Sequence, residues 1–142
     1  MITARASDHP CELHKTHSPR NLTVEFHHLV PVAWQQKVQP FPDPAPFSGI
    51  DPDGRGRLWD ARGIWACPTG HRNVHDWIEL LMHRIAETSV EDVAAAEKAV
   101  LAATKEVGHV PAEFPQAVLG LQRAQPYVSL LHLTSLGEWG QV

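Results

Sequence analysis

Residues 63–85 read GIWACPTGHRNVHDWIELLMHRI, and two periods meet inside them. Gly63–Cys67 is a short apolar run that reads as a strand, and Pro68–Thr69–Gly70 then turns the chain. Past the turn, Val74, Ile78, Leu81 and Ile85 recur at helical spacing and share one apolar stripe. Thr69 offers a hydroxyl as the N-cap of that helix. The same segment carries His71 and His75. Residues four apart on a helix stand one above the other, with about 5–6 Å between Cβ atoms. At that separation two imidazoles can grip one cation.

Upstream, residues 21–28 read NLTVEFHH. Leu22, Val24 and Phe26 alternate with Thr23, Glu25 and His27, the period of a half-buried strand. Pro31 lacks the backbone donor that a central strand needs, and it ends the run. Adjacent strand residues point to opposite faces, so His27 and His28 separate at the strand exit. One can join the helical pair at a metal while the other faces a substrate. Between the two strands, residues 35–57 hold Pro40, Pro42, Pro44, Pro46 and Pro52 with Gly49, Gly54 and Gly56. They read as a long Pro-rich inter-strand loop, functional or mobile. Residues 1–20 are polar, contain Pro10 and Pro19, and read as irregular structure.

Downstream, Ser89-x-x-Asp92 is a capping pattern that opens a second helix. Val93, Ala96, Val100 and Ala103 lie along one side of it, and Gly108 and Pro111 end it. A third helical region covers about 115–136 and is kinked or divided by Pro126. The expected organisation is a mixed α+β core over residues 1–88, with a helical extension over 89–142 packed on the same domain. The extension carries no chemical motif. It can cover the core, form a homodimer or dock on a protein partner.

The chain has 142 residues, enough for one domain with a modest core. Apolar residues make up 43 % and the formal net charge is −4, which argues against a broad basic surface for duplex binding. A bound divalent cation would add positive charge locally, so DNA binding is expected to be weak or assisted. No run of apolar residues is long enough for a membrane helix, and the N-terminus has no apolar export segment. An intracellular, cytoplasmic setting is the expectation. In that setting Cys11 and Cys67 favour metal binding over a disulfide. The ten histidines are the unusual part of the composition.

Taken together, HHLVP at residues 27–31 and CPTGHRNVH at residues 67–75 resemble the HNH endonuclease family. That family's motif runs from an acidic or His residue followed by His-hydrophobic-x-Pro to Cys-x-x-Cys-His-x-x-x-His. The resemblance covers residues 11–85 and is to small single-domain members of the bacteriophage and actinobacterial type. It implies a ββα-metal core and a nuclease that hydrolyses DNA phosphodiester bonds with one divalent metal, Mg, Mn, Ni or Zn. Carried over by position, His27, His71 and His75 match the metal ligands and His28 matches the general base. The residue types agree with that chemistry, since a neutral imidazole can take a proton from water near neutral pH.

Two departures from the pattern matter. The family's middle Asn, which holds the general base by its carbonyl oxygen, is replaced by Arg62, and Arg62 has no acceptor. Asp60 is the nearby residue expected to accept from His28 instead. Arg62 and Arg72 are expected to bind substrate phosphate. The family's structural zinc knuckles are also altered. Here they read Cys11-x-x-His14 and Cys67-x-x-Gly70, with His17 or His9 as the fourth ligand. Such a zinc would tie the N-terminus to the strand–helix turn. These departures keep a second reading open, a zinc-stapled HNH-like interaction module with weak or no turnover. His83 is expected to be solvated, His109 and His132 unrelated to the site, and the five tryptophans core or interface.

Overall fold

The computed structural model describes residues 2–13, 23–88, 92–106 and 114–136. Its architecture is mixed α+β. The alternation at residues 23–28 becomes strand β2 (Thr23–His28), the centre of a three-stranded antiparallel sheet. On one side it pairs with β5 (Gly63–Ala66), with His27 opposite Ile64 and His28 opposite Gly63. The ladder continues past the strand, where Leu29 N–H donates to the Arg62 carbonyl at 3.2 Å. On the other side lies β1 (Thr3–Arg5), with Thr3 opposite Glu25. The N-terminal segment is therefore not wholly irregular. Three residues are too few to display a period, and pairing with β2 supplies what propensity does not.

Helix α2 (Pro68–Thr88) follows β5 directly. Its cap is Cys67 rather than Thr69, which lies inside the first turn. The Cys67 carbonyl accepts the His71 N–H at 2.8 Å, and its Sγ accepts the Gly70 N–H at 3.2 Å. Pro68 then takes the first helical position, where a missing N–H costs nothing. The expected stripe of Val74, Ile78, Leu81 and Ile85 is buried, and Met82 joins it.

Around that stripe pack α3 (Val93–Glu106), α4 (Phe114–Ala124) and α5 (Leu130–Leu136), in one continuous core. Asp92 caps α3, accepting the Ala94 N–H on Oδ1 at 2.7 Å. The expected Ser89 cap, and the Gly108 and Pro111 stop, lie outside the described residues. Pro126 falls in the turn that divides α4 from α5. Gly120 of α4 sits against the strand exit, where a Cβ would overlap the carbonyl of Leu29. No helix among the described residues is long and apolar enough to cross a membrane.

The Pro-rich stretch is more ordered than a loop. It begins inside α1 (Val32–Lys37), with Pro31 at the N-cap position, and it contains a hairpin of β3 (Gly49–Ile50) and β4 (Arg57–Leu58). Gly54 and Gly56 adopt φ of 79° and 94°, the left-handed region that lets this short hairpin turn. A helix of six residues is too short to show a stripe, and strands of two residues show no alternation.

Buried Gln35 of α1 ties this insertion to the sheet. Its amide donates to the carbonyls of Val30 at 2.9 Å and Asp60 at 2.8 Å, and its Oε1 accepts the Asp60 N–H at 2.9 Å. Replacing Gln35 by Leu would leave those buried backbone groups without partners. The Gln35→Leu variant is expected to lose about 2–3 kcal/mol of stability, read from denaturant titration. An unchanged midpoint would show that the amide bridge contributes nothing net.

Candidate metal centre

His27 comes from the end of β2, and His71 and His75 from the first two turns of α2. The strand runs beneath the helix, and the face of β2 that carries Glu25 and His27 is the face α2 covers. One ring nitrogen from each of the three histidines lies within 4.8 Å of the others, and all three residues are buried. The ring centroids form a near-equilateral triangle, 5.1 Å from His27 to His71, 5.0 Å from His27 to His75 and 4.8 Å between His71 and His75.

This arrangement fits a metal on the chemistry of its donors. Zinc–imidazole bonds of about 2.0–2.1 Å place tetrahedral ligand atoms roughly 3.3 Å apart. The Nε2 atoms of His71 and His75 are 3.0 Å apart. Both ring nitrogens of His27 are buried without a hydrogen-bond partner among the described residues. Polar atoms left so cost stability, and an ion at the centre of the triangle would satisfy one of them. Glu25 completes the pattern. It stands two residues before His27 on the same strand face, and its Oε1 is 3.0 Å from His71 Nδ1. A proton held on Nδ1 by that carboxylate leaves Nε2 as the lone pair facing His75, the tautomer a ligand needs. The cluster can therefore hold a metal ion.

The electrostatics point the same way. Burial pushes the pKa of His27 well below its ordinary value, and His75, His71 and His28 lower it further. His27 is thus held neutral, the form that binds metal.

His28 leaves β2 on the opposite face, edge-on to Phe26 at 5.1 Å between centroids. It borders a cavity of about 270 Å³ shared with Phe26, Ile50, Leu58 and Trp65. Its pKa is lowered, chiefly by burial, with Asp51 opposing the shift. Asp51 Oδ1 lies 3.6 Å from His28 Nε2.

That carboxylate corrects an expectation. Asp60 was the residue expected to face His28, but its oxygens are taken by Arg62. The guanidinium forks onto them, Nε to Oδ1 at 3.0 Å and Nη2 to Oδ2 at 2.7 Å. Arg62 also stacks on Phe47, 3.5 Å from the ring centroid, and its bond to Asp60 raises its pKa. Its charge is therefore largely neutralised locally. Arg72 is exposed on α2.

At the knuckle, the structure brings Cys11 and Cys67 together. The Cys67 N–H donates to Cys11 Sγ at 3.2 Å, and no disulfide joins them. The other expected ligands, His14 and His17, lie outside the described residues, as do His109 and Trp139. His9 is exposed and stacks on Trp65 at 4.4 Å. His83 and His132 are exposed, while Trp34 and Trp59 are buried in the core. Sequence reasoning missed Glu25 and Asp51. Glu25 was legible from the period of β2, whereas Asp51 reaches His28 only through the hairpin.

The lowered pKa of His27 has a consequence for stability. The unfolded chain takes up a proton on this group near its ordinary pKa of about 6.5, and the folded chain resists it. The His27 contribution is thus fully present above that pH and declines as pH falls towards the depressed folded value. Metal-free protein should lose stability on acidification through that range, and His27→Leu should flatten the dependence. Equal slopes for both proteins in denaturation at graded pH would remove His27 as the cause. Comparison with protein-family models, with curated proteins and with solved structures finds no match, so a functional reading rests on the chemistry of this site.

Proposed function

We propose that this chain is a divalent-metal-dependent endonuclease with a ββα-metal core formed by β2, β5 and α2. The observation that carries the reading is the convergence of His27, His71 and His75 on one buried point. Beside it, at the next strand position, stands a histidine that takes no part in the cluster. Three protein ligands leave coordination positions open, as a catalytic centre requires and a closed structural one does not.

In this reading His27, His71 and His75 would hold a divalent ion, which would supply Lewis acidity to the phosphodiester. Glu25 keeps the His71 ring in its ligand tautomer. His28 takes the proton from a water whose oxygen attacks phosphorus. The P–O3′ bond breaks and the departing oxygen takes a proton from solvent, leaving a 5′-phosphate and a 3′-hydroxyl. The lowered pKa of His28 keeps it in the proton-accepting form at neutral pH. With a net charge of −4, binding to DNA depends on the ion and on help from a partner more than on a basic surface.

The test is plasmid nicking with Mg²⁺, Mn²⁺, Ni²⁺ or Zn²⁺, with a chelator as control. Wild type should nick with at least one metal, and His28→Ala should lose about 100-fold or more in rate while keeping its metal. Equal nicking by both proteins would remove His28 as the base.

A second reading, a zinc-stapled interaction module without turnover, is favoured by one pair of observations. His28 is only 3 % exposed, and Arg62 is committed to Asp60. Bound metal without nicking under any of the four ions would favour it. Both readings include a structural zinc, supported by the adjacency of Cys11 and Cys67 and by a backbone N–H donated to each sulfur. Elemental analysis should then find two ions per chain, one lost in Cys67→Ser and the other in His71→Ala. A count unaffected by Cys67→Ser would exclude the second ion.

A further inference from the structure

We propose that Asp51, delivered by the β3–β4 hairpin, is the residue that positions His28. The proposal rests on the hydrolytic reading above and gives the Pro-rich insertion a role in it.

The Asp51 side chain has no accessible surface. Its carboxylate is fixed from several sides. Oδ1 accepts the Asp53 N–H at 3.0 Å, and Oδ2 pairs with Arg55 Nε at 3.1 Å. Arg55 in turn binds Asp53 Oδ2 at 2.9 Å. The backbone is pinned as well, with Asp51 N–H donating to Gly56 O at 2.8 Å and Gly54 N–H donating to Asp51 O at 3.0 Å. A carboxylate so buried and so braced presents Oδ1 to His28 Nε2 in one orientation.

The 3.6 Å separation exceeds a hydrogen bond by a few tenths of an ångström. Catalytic contacts of this kind commonly tighten when substrate binds. With the Nε2 proton directed at Asp51, the lone pair of His28 is on Nδ1. Nδ1 is buried and has no hydrogen-bond partner among the described residues. A carboxylate braced in this way can fix the tautomer of a histidine base.

This placement also accounts for Arg62. The family resemblance puts an acceptor at that position, and a guanidinium cannot accept. In this chain Arg62 is engaged by Asp60 and Phe47. The carboxylate facing His28 comes instead from the upstream hairpin, shaped by Gly54 and Gly56.

The test compares full-length, metal-loaded wild type with Asp51→Ala and Asp51→Asn. Three quantities are read: the His28 tautomer by imidazole nitrogen NMR, kcat and KM for plasmid nicking, and metal content. Wild type should carry the His28 proton on Nε2. Asp51→Ala should mix the tautomers and lower kcat about 100-fold, with KM and metal content changed less than about two-fold. Asp51→Asn keeps an acceptor oxygen of the same shape and should recover at least about ten-fold of that loss. A merely structural role would lower kcat equally in both variants and leave the tautomer alone, and that result would overturn the proposal. Should Asp51→Ala not fold, Asp51→Asn decides, since a kcat as low as that of His28→Ala would overturn it. Should wild type nick with none of the metals, the hydrolytic reading falls separately. The tautomer comparison then decides whether Asp51 positions the ring.

Discussion

Three imidazoles buried against one point are a constraint that the rest of the chain has to accommodate. Rings packed at about 5 Å between centroids cannot satisfy all of one another's nitrogens. One contact, His71 to His75, can be a hydrogen bond in the absence of an ion. His27 has none on either nitrogen among the described residues. A protein that kept this arrangement for packing alone would be more stable with an apolar residue at position 27, by the cost of two desolvated polar atoms. The cluster makes physical sense when something accepts those lone pairs.

The rest of the fold keeps the three rings together. His27 is fixed by the central strand of the sheet, which pairs with β1 through Thr23, Val24 and Glu25 and with β5 at His27 itself, opposite Ile64. His71 and His75 are fixed by α2, whose first turn is capped by Cys67 and whose far side is clamped by three further helices. The long apolar stripe of α2 therefore does more than fill a core. It sets the depth of its first two turns over β2. Gly120 shows how closely this is arranged, because α4 passes the strand exit with no room for a side chain.

Much of this was legible in the sequence, and what was not legible follows a physical pattern. β2 and α2 announce themselves because each is long enough for its period to show, and the candidate metal cluster follows from where those periods place His27, His71 and His75. The cap was misplaced by two residues, since Thr69 is the better hydroxyl but Pro68 suits the first helical position. β1, α1 and the β3–β4 hairpin were missed because each is shorter than one repeat of any pattern. They exist through pairing and burial with distant residues, as Gln35 shows by bonding to Asp60. Asp60 was chosen for His28 on nearness in sequence. It lost to Asp51 because Arg62, two residues on, is a closer and charged partner.

The two faces of β2 thus carry different environments, and that division follows from the strand's period of two. On the face of Glu25 and His27, helix α2 closes over a polar cluster. On the face of Phe26 and His28 lie a short hairpin and a cavity. The adjacent histidines His27 and His28 are thereby given separate surroundings. One is buried by a rigid element and turned toward its partners. The other is approached by an insertion whose geometry rests on two glycines and a braced carboxylate. A register slip of one residue in β2 would exchange the two rings and lose both environments at once. The pairing of β2 with β5, and the Gly63 position opposite His28, are therefore as necessary to the site as the three clustered histidines. A Cβ at Gly63 would meet the His27 carbonyl and the Phe26 ring, so the strand can approach this closely only where no side chain intervenes.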